Sequence, residues 1–128
     1  MSCSNLDKIE IDKGEHIKLT YKVVEPSETE PNVYNPKDLT GVTIEFQVKP
    51  KVGAPDPPTI EKSIGSGIVL LPQSGDTLGK FQVTIQTSDT SSVAAGSYAY
   101  DIVMIEAGER KPIRRASPFV INAVVNSP

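Results

Sequence analysis

Histidine and cysteine each occur once in this chain of 128 residues, and tryptophan does not occur at all. Because Cys3 has no second cysteine to pair with, no disulfide can form within the chain. A single histidine, His16, excludes a metal site built from several imidazoles, and no pair of cysteines forms half of a zinc site. We therefore expect no metal and no cofactor, and we interpret His16 as a solvated residue on a strand.

Sequence motifs of common enzyme classes are also missing. A serine hydrolase would have to use His16, and the chain contains no Gly-x-Ser-x-Gly elbow. Gly65-Ser66-Gly67 lacks the following helix and the lysine of a phosphate-binding loop, so we interpret it as a hairpin turn. Catalytic carboxylate pairs are defined by their separation in space, and surface charge explains the acidic residues here. The sequence therefore predicts a protein that is not an enzyme.

Charge and hydropathy argue against two further classes of partner. A formal net charge of −3 and a pI of about 5.1 give no general positive field that would attract nucleic acid. No apolar run approaches the roughly 20 residues that a membrane-spanning helix needs. No N-terminal stretch combines a basic segment with the apolar core of a signal peptide. We expect no nucleic acid and no membrane among the partners, and synthesis in a cytoplasm.

What the chain does contain is a repeated alternation of apolar and polar residues. Three segments have an apolar side chain at every second position, the pattern of a strand with one buried and one solvated face. They span residues 17–23, 42–48 and 81–85. Shorter strands are predicted at residues 9–12, 59–63 and 68–71.

The strongest single signal is a long β-prone run after Gly96. It continues to the turn at residues 106–109, which leads into a second apolar run at residues 119–125. A glycine-containing turn between two such runs is typical of a β-hairpin. Ahead of Gly96, either Ser88 or Asp89 is placed to cap a single helical turn.

Two further expectations concern this hairpin. Tyr98 and Tyr100 alternate on one face of its first strand, so we expect core or rim positions with hydroxyls that reach water. Asp101 then points to the opposite face, where Arg114 or Arg115 of the next strand is a candidate partner. An exposed pair of this kind adds little stability.

Together these segments predict the fold. About seven or eight strands follow one another at intervals of about ten residues, and no segment has helical apolar spacing over three turns. We predict an all-β fold, an antiparallel immunoglobulin-like β-sandwich with proline-rich loops. It forms one domain over residues 1–128, with a flexible arm at residues 1–7. The predicted core comprises Ile17, Leu19, Tyr21, Val42, Ile44, Phe46, Phe81, Val83, Ile85, Tyr98 and Tyr100.

Two segments are rich in proline and are predicted to cross the surface as loops. Residues 25–37 contain Pro26, Pro31 and Pro36, and because proline has no N–H this segment cannot supply ladder donors at regular positions. Residues 50–58 form the second such loop. Binding residues often lie on loops of this kind, since the strands behind them hold them in place.

Tyr34 lies within the first of these loops, outside any alternating segment. Two interpretations are open: an anchor that stacks on a sugar or enters a pocket of a neighbouring subunit, and a lid over the edge of the core. We predict that the partner-binding residues are Tyr34, Pro55, Pro57 and Pro58. Prolines restrict the unbound chain, which reduces the entropy lost on binding.

Three blocks of the chain resemble a known family. The first block is residues 38–48, which begin Asp38-Leu39-Thr40-Gly41. The second is Gly67-Ile68 together with residues 80–85. The third is residues 89–101, which end Tyr98-x-Tyr100-Asp101. In this order they resemble the small immunoglobulin-like virion proteins of tailed bacteriophages, among them the N-terminal domains of the baseplate upper protein family. The likeness covers residues 38–125, while residues 25–37 and 50–58 are unusual for it.

The resemblance implies a structural subunit of a virion, made in the cytoplasm of the host bacterium, without catalytic residues. We therefore expect a capsid decoration, neck protein, or tail or baseplate adaptor that docks against other virion proteins and against itself in a symmetric oligomer. The alternative is a carbohydrate-binding or adhesin module with a glycan as its partner. A face with two or more coplanar exposed aromatic side chains would favour that alternative.

Overall fold

The structure, a computed structural model, describes residues 8–51 and 58–123. Its strands are β1 (Ile9–Asp12), β2 (Ile17–Lys22), β3 (Val24–Pro26), β4 (Tyr34–Pro36), β5 (Thr43–Lys49), β6 (Ile60–Ile64), β7 (Gly67–Leu70), β8 (Lys80–Ile85), β9 (Gly96–Glu106) and β10 (Glu109–Asn122). One helical turn, α1 (Thr87–Thr90), precedes β9, and a 3-10 turn spans Gly75–Thr77. In the described ranges no helix is long and apolar enough to cross a membrane.

Eight strands form one sheet that must fold over on itself. Their order is β1-β10-β9-β5-β6-β7-β8-β2, so β1 and β2 lie at opposite ends. In a flat sheet those ends would be about 34 Å apart, at about 4.8 Å per strand. Residues 13–16 alone separate β1 from β2, and they span at most about 18 Å. The sheet therefore closes into two packed layers, β1-β10-β9-β5-β6 and β7-β8-β2.

The core between the layers contains the apolar residues that the alternation predicts. On β5, Ile44, Phe46 and Val48 are fully buried, whereas Glu45 and Gln47 on the opposite face are partly exposed. Every predicted core residue belongs to this cluster or packs against it. Those at its partly buried rim are Ile17, Leu19, Tyr21 and Tyr98.

A tyrosine near the start of β9 gives the sandwich its immunoglobulin-like character. The Tyr98 hydroxyl donates a hydrogen bond to the Ala94 carbonyl over 2.6 Å. This tyrosine corner marks immunoglobulin-like sandwiches, and antibody domains carry a cysteine two positions later. Here that position is Tyr100, whose ring centroid lies 5.4 Å from that of Phe46 and 6.2 Å from that of Phe119. The rings of Phe46, Tyr100 and Phe119 thus form an aromatic cluster in the core. The predicted fold class is confirmed.

Strand pairing departs from a wholly antiparallel arrangement at two places. β1 pairs with β10 in parallel. β6 and β7 also pair in parallel, with Ser63 opposite Gly67 and Ile64 opposite Ile68. Each of these two β6 residues thus faces the residue four positions later, whereas in a hairpin the two strands run in opposite directions. The hairpin turn predicted at Gly65-Ser66-Gly67 is therefore wrong. These residues form a corner at which the chain passes from one layer to the other.

The hairpin between β9 and β10 is confirmed, and its turn has the expected chemistry. Ala107 and Gly108 have φ angles of 53° and 81°, as the two central residues of a type I′ turn require. The single helical turn α1 is also present, but its N-cap is Gln86 rather than Ser88 or Asp89. Asp89 instead accepts the backbone N–H of Gln86 over 2.6 Å.

Two expectations about β9 are wrong. Tyr100 is 1% exposed, so its hydroxyl lies in the core and does not reach water. Asp101 forms no ion pair with Arg114 or Arg115 in the described residues. Its carboxylate accepts the backbone N–H of Ala116 over 2.6 Å, and Ala116 has a φ of 48°. Asp101 therefore holds an irregular part of β10.

Residues 25–37 contain most of a two-stranded ribbon, β3 and β4, instead of the long loop that we predicted. Residues 8–51 and 58–123 thus form ten strands, of which eight belong to the sandwich and match the expected number. The flexible arm predicted at residues 1–7 lies outside the described residues.

Candidate docking surface

The β3–β4 ribbon stands apart from the main sheet. Val24 lies opposite Pro36, and Pro26 lies opposite Tyr34. The Ser27 N–H, after Pro26, donates to the Val33 carbonyl over 2.7 Å. The Lys37 N–H, after Pro36, donates to the Val23 carbonyl over 2.9 Å. Because hydrogen-bonded and non-hydrogen-bonded pairs alternate in an antiparallel ladder, both prolines occupy positions where no N–H is needed. This is why a segment rich in proline can form strands.

The pairing places four apolar side chains on one face of the ribbon. Paired residues and alternate residues share a face, so Val24, Pro26, Tyr34 and Pro36 lie on one side and Glu25 lies on the other. Val24 is 48% exposed and Tyr34 is 64% exposed. We call these four residues the apolar ribbon face.

Exposed apolar side chains concentrate around this ribbon. Of the five large hydrophobic residues that are exposed in the described ranges, three are Val24, Val33 and Tyr34. The other two, Ile64 and Val69, lie on β6 and β7. Val24 and Tyr34 belong to the apolar ribbon face, and Val33 directly precedes β4. Single exposed apolar residues are ordinary, whereas several on one element indicate a candidate interaction surface.

The base of the ribbon is fixed to the sandwich. The chain enters the ribbon from Val23 and leaves it toward Leu39, and both side chains belong to the core. The Val23 N–H donates to the Gly79 carbonyl over 2.8 Å. Gly79 has a φ of 82°, and a Cβ atom there would lie 2.7 Å from the Val23 carbonyl oxygen. Only glycine fits this approach of two backbones.

The Gln73 side chain reinforces the same junction. Its Oε1 accepts the N–H groups of Leu39 and Gly79 over 2.8 and 3.1 Å. Its Nε2 donates to the carbonyls of Leu71 and Lys80 over 2.7 and 3.3 Å. One amide therefore joins the exit of the ribbon to the segment before β8. No sequence pattern identifies Gln73, because its importance depends on backbone groups that are distant in the chain.

Lys37 connects the ribbon to the β9–β10 hairpin. Its Nζ lies 3.0 Å from the Glu106 carboxylate and 3.7 Å from that of Glu25. Lys111 Nζ lies 3.5 Å from the other carboxylate oxygen of Glu106 and 4.0 Å from the Glu109 carboxylate. The hydrogen bond between Lys37 and Glu106 lowers the pKa of Glu106 and raises the pKa of Lys37. Since these groups are in contact with water, their contribution to stability is modest.

A pocket of about 310 Å³ lies beside the base of the ribbon. Its charged lining consists of Lys22, Lys111 and Arg114. Its apolar wall includes Val23, Met104 and Ile113. Among the described residues that line it, none is acidic. We call this cavity the basic pocket.

Two bulges in β10 carry Arg114 to this pocket. Between Pro112 and Ser117, β10 advances by five residues while β9 advances by three. The guanidinium carbon of Arg114 lies 5.5 Å from the centroid of the Tyr21 ring, within the range of a cation–π contact. Its Nη1 donates to the Ile113 carbonyl over 3.0 Å. Bulges commonly redirect a side chain in this way, and these contacts fix its position.

Of the four predicted partner-binding residues, the structure describes Tyr34 and Pro58, which lie on separate parts of the fold. Tyr34 is exposed on β4 and does not cover the edge of the core as a lid. Pro58 is partly buried just before β6, which pairs with β5 rather than with the ribbon. Pro55 and Pro57 lie outside the described residues. No strand pairing within residues 8–51 and 58–123 joins Tyr34 to the neighbourhood of Pro58.

The aromatic side chains offer little for stacking on a sugar. All three Phe and four Tyr residues lie in the described ranges. Tyr34 is exposed, Tyr21 and Tyr98 are partly buried, and the others are in the core. A face with two coplanar exposed rings is therefore not found in this part of the chain, and no structural observation favours the glycan-binding alternative.

The described residues show no constellation for metal binding. No group of three His, Cys, Asp or Glu side chains within them is placed to hold a metal ion. His16 is exposed directly before β2, one residue short of the strand on which we placed it.

No family model matches the chain, and no significant match is found among curated proteins. Among solved structures, the chain is similar to one described as the crystal structure of the RIG-5 IG1 homodimer. The two share 15% sequence identity with a TM-score of 0.40, over 93% of this chain and 91% of that chain. A likeness of this size indicates nothing about function, and the fold assignment rests on the strand topology and the Tyr98 corner.

Proposed function

We propose that the protein is a non-enzymatic structural component that docks against other proteins in a symmetric assembly. The observation that supports this proposal is the apolar ribbon face, on which Val24 and Tyr34 remain largely exposed. A partner that covers this face removes apolar surface from water, at about 25 cal/mol per Å². A tyrosine at the centre of such a contact often contributes 2 kcal/mol or more, as a truncation to alanine measures it.

The ribbon is already ordered before a partner arrives. Association is opposed by the entropy lost when loops and side chains become fixed. Pro26 and Pro36 restrict the ribbon backbone, and the contacts of Gly79 and Gln73 hold its base. The ribbon therefore loses little conformational entropy when a partner binds, and more of the free energy gained by burying its apolar area contributes to affinity.

We further propose that the partners are virion proteins. The support for this step is the resemblance of residues 38–125 to small immunoglobulin-like virion proteins of tailed bacteriophages. In that role the protein is a capsid decoration, a neck protein, or a tail or baseplate adaptor. It is synthesised in the cytoplasm of the host bacterium and functions without enzymatic activity.

The test compares matched substitutions at exposed valines. Val24 is 48% exposed on the ribbon, and Val69 is 58% exposed on β7. We expect Val24→Asp to reduce the protein that co-purifies with virus particles on a density gradient about tenfold, which corresponds to about 1.4 kcal/mol. We expect Tyr34→Ala to have a similar effect, while Val69→Asp is incorporated normally. Thermal melting establishes that all three variants fold.

Two results would contradict the proposal at different levels. Normal incorporation of both Val24→Asp and Tyr34→Ala would show that the ribbon is not the docking surface. Absence of the unaltered protein from purified particles would overturn the virion assignment.

A further inference from the structure

The tip of the β3–β4 ribbon is an ordered acidic loop. Glu28 and Glu30 are exposed there, and neither forms an ion pair with another described residue. The Ser27 N–H donates to the Val33 carbonyl over 2.7 Å and closes the loop. The Ser27 hydroxyl oxygen also accepts the N–H groups of Thr29 and Glu30, each over 3.2 Å. We call residues 27–33 the acidic tip.

The basic pocket at the other end of the ribbon has the complementary charge. Lys22 forms no ion pair within the described residues, and Arg114 is held in place over Tyr21. Lys111 shares Glu106 with Lys37, so its charge is partly balanced. The three charged residues of the lining, Lys22, Lys111 and Arg114, are all basic, so the pocket attracts an acidic group.

One copy of the chain cannot place its acidic tip in its own basic pocket. Val24 lines the pocket, and β3 runs away from it toward Pro26 and the tip. Within the described residues neither Glu28 nor Glu30 forms an ion pair with Lys22 or Lys111 of the same copy. Because the tip is closed on itself by the Ser27 hydrogen bonds, it has no free length with which to return.

We propose that two copies of the chain form a reciprocal dimer in which the acidic tip of each enters the basic pocket of the other. Two-fold symmetry repeats each contact, so one copy supplies Glu28 and Glu30 while the other supplies Lys22, Lys111 and Arg114. The exposed Val33 and Tyr34, at and beside the tip, lie between the two copies. The inference rests on the proposed docking function of the ribbon. It names another copy of the same chain as a partner against which the ribbon docks.

The expected signature is an association that depends on salt. The charges on the tip and around the pocket are accessible to water, and salt screens such charges over a Debye length of about 10 Å at 0.1 M and about 3 Å at 1 M. We expect the dissociation constant, measured by sedimentation equilibrium of the whole chain, to rise about tenfold between 0.05 and 0.5 M NaCl.

Charge reversal distinguishes this contact from any other. The tip variant Glu28→Lys with Glu30→Lys has a positive tip and a positive pocket. The pocket variant Lys22→Glu with Lys111→Glu has a negative tip and a pocket of reduced or reversed charge. We expect each variant alone to be monomeric. An equimolar mixture restores both contacts and forms a heterodimer, and a chain that carries all four substitutions forms a homodimer again.

The matched controls reverse charges elsewhere on the surface. Glu61→Lys and Lys18→Glu change exposed residues on β6 and β2, away from the tip and not in the lining of the pocket. We expect both to dimerise like the unaltered chain. Thermal melting of every variant separates loss of association from loss of folding.

The outcomes are decisive in both directions. A chain that stays monomeric at low salt up to about 1 mM, where association is worth about 4 kcal/mol, overturns the inference. So does a dimer that both charge-reversed variants retain, or a mixture that fails to associate. If the chain is monomeric while Val24→Asp still blocks incorporation into particles, the dimer is wrong and the docking function stands.

Discussion

Gly79 and Val23 approach so closely that a Cβ atom on Gly79 would lie 2.7 Å from the Val23 carbonyl oxygen. This approach brings the start of the ribbon against the turn before β8, where the Val23 N–H also donates to the Gly79 carbonyl. The orientation of the apolar ribbon face therefore depends on one glycine that lies far from it in sequence.

Gly79→Ala should destabilise the protein by about 2–5 kcal/mol, because it combines a left-handed backbone with a clash. Gly41 is the matched control: its φ is 81°, close to the 82° of Gly79, but nothing lies within 4 Å of an added Cβ. Gly41→Ala should lower the free energy of unfolding by only about 1–2 kcal/mol, because the left-handed backbone is strained but no clash is added. Urea unfolding measures both. Equal losses would mean that the close approach is unimportant.

Phe46→Ala should lower the free energy of unfolding by about 3–5 kcal/mol. Phe46 is fully buried, and its ring packs against those of Tyr100 and Phe119. The cavity that alanine leaves cannot close without moving two other rings. Val69→Ala, at an exposed position, should change stability by less than about 0.5 kcal/mol. A loss below about 1 kcal/mol for Phe46→Ala would contradict the assignment of the core.

Tyr98→Phe should destabilise the protein by about 1 kcal/mol, because it removes the hydrogen bond to the Ala94 carbonyl and little else. Tyr34→Phe makes the same chemical change at an exposed site and should be neutral within about 0.5 kcal/mol. Chemical denaturation of the two variants side by side checks this. If the two variants lose equal stability, the tyrosine corner does not stabilise the fold.

The ion pair between Lys37 and Glu106 should make stability depend on pH. The pKa of Glu106 is lowered below its ordinary 4.5 in the folded protein, so the pair stabilises fully above that value and is lost as pH falls through the folded pKa. The pKa of Lys37 is raised above its ordinary 10.5, so the contribution is also lost as pH rises through that folded pKa. Glu106→Gln should flatten the acid side of the stability curve.

Lys37→Met provides the second arm of this experiment. If the two groups act as a pair, the double variant should be no less stable near pH 7 than the less stable single variant. Additive losses from the two substitutions would instead assign the pH dependence to other contacts, such as the approach of Lys111 to Glu106 at 3.5 Å.

Alternation along the chain predicted most of the sandwich. β2, β5 and β8 lie where the period of two places them, and their apolar residues form the core. Such strands are readable from sequence because burying one face of a sheet requires an apolar residue at every second position. Val24/Pro26 and Tyr34/Pro36 also alternate, but the prolines argued for a loop, and only the pairing register shows that they need no N–H.

Of the predicted partner-binding residues, Tyr34 lies on the apolar ribbon face, and its role there stays a prediction. Pro58 lies just before β6, and Pro55 and Pro57 lie outside the described residues. Val24 and the Gln73 junction were not anticipated, because exposure and backbone contacts across the fold have no local pattern. The same holds for Arg114, which two bulges in β10 bring over Tyr21.

The sequence by itself determined the all-β class, the main strands and their buried faces, since these follow from local periodicity and turn chemistry. Only the tertiary structure decided that the sheet closes through a corner at Gly65-Ser66-Gly67, with parallel β1 and β10 pairing. It also decided that an acidic tip and a basic pocket lie at opposite ends of one ribbon. The physical reason is that register, bulges and close backbone approaches depend on contacts between residues distant in the chain, which no short window of sequence contains.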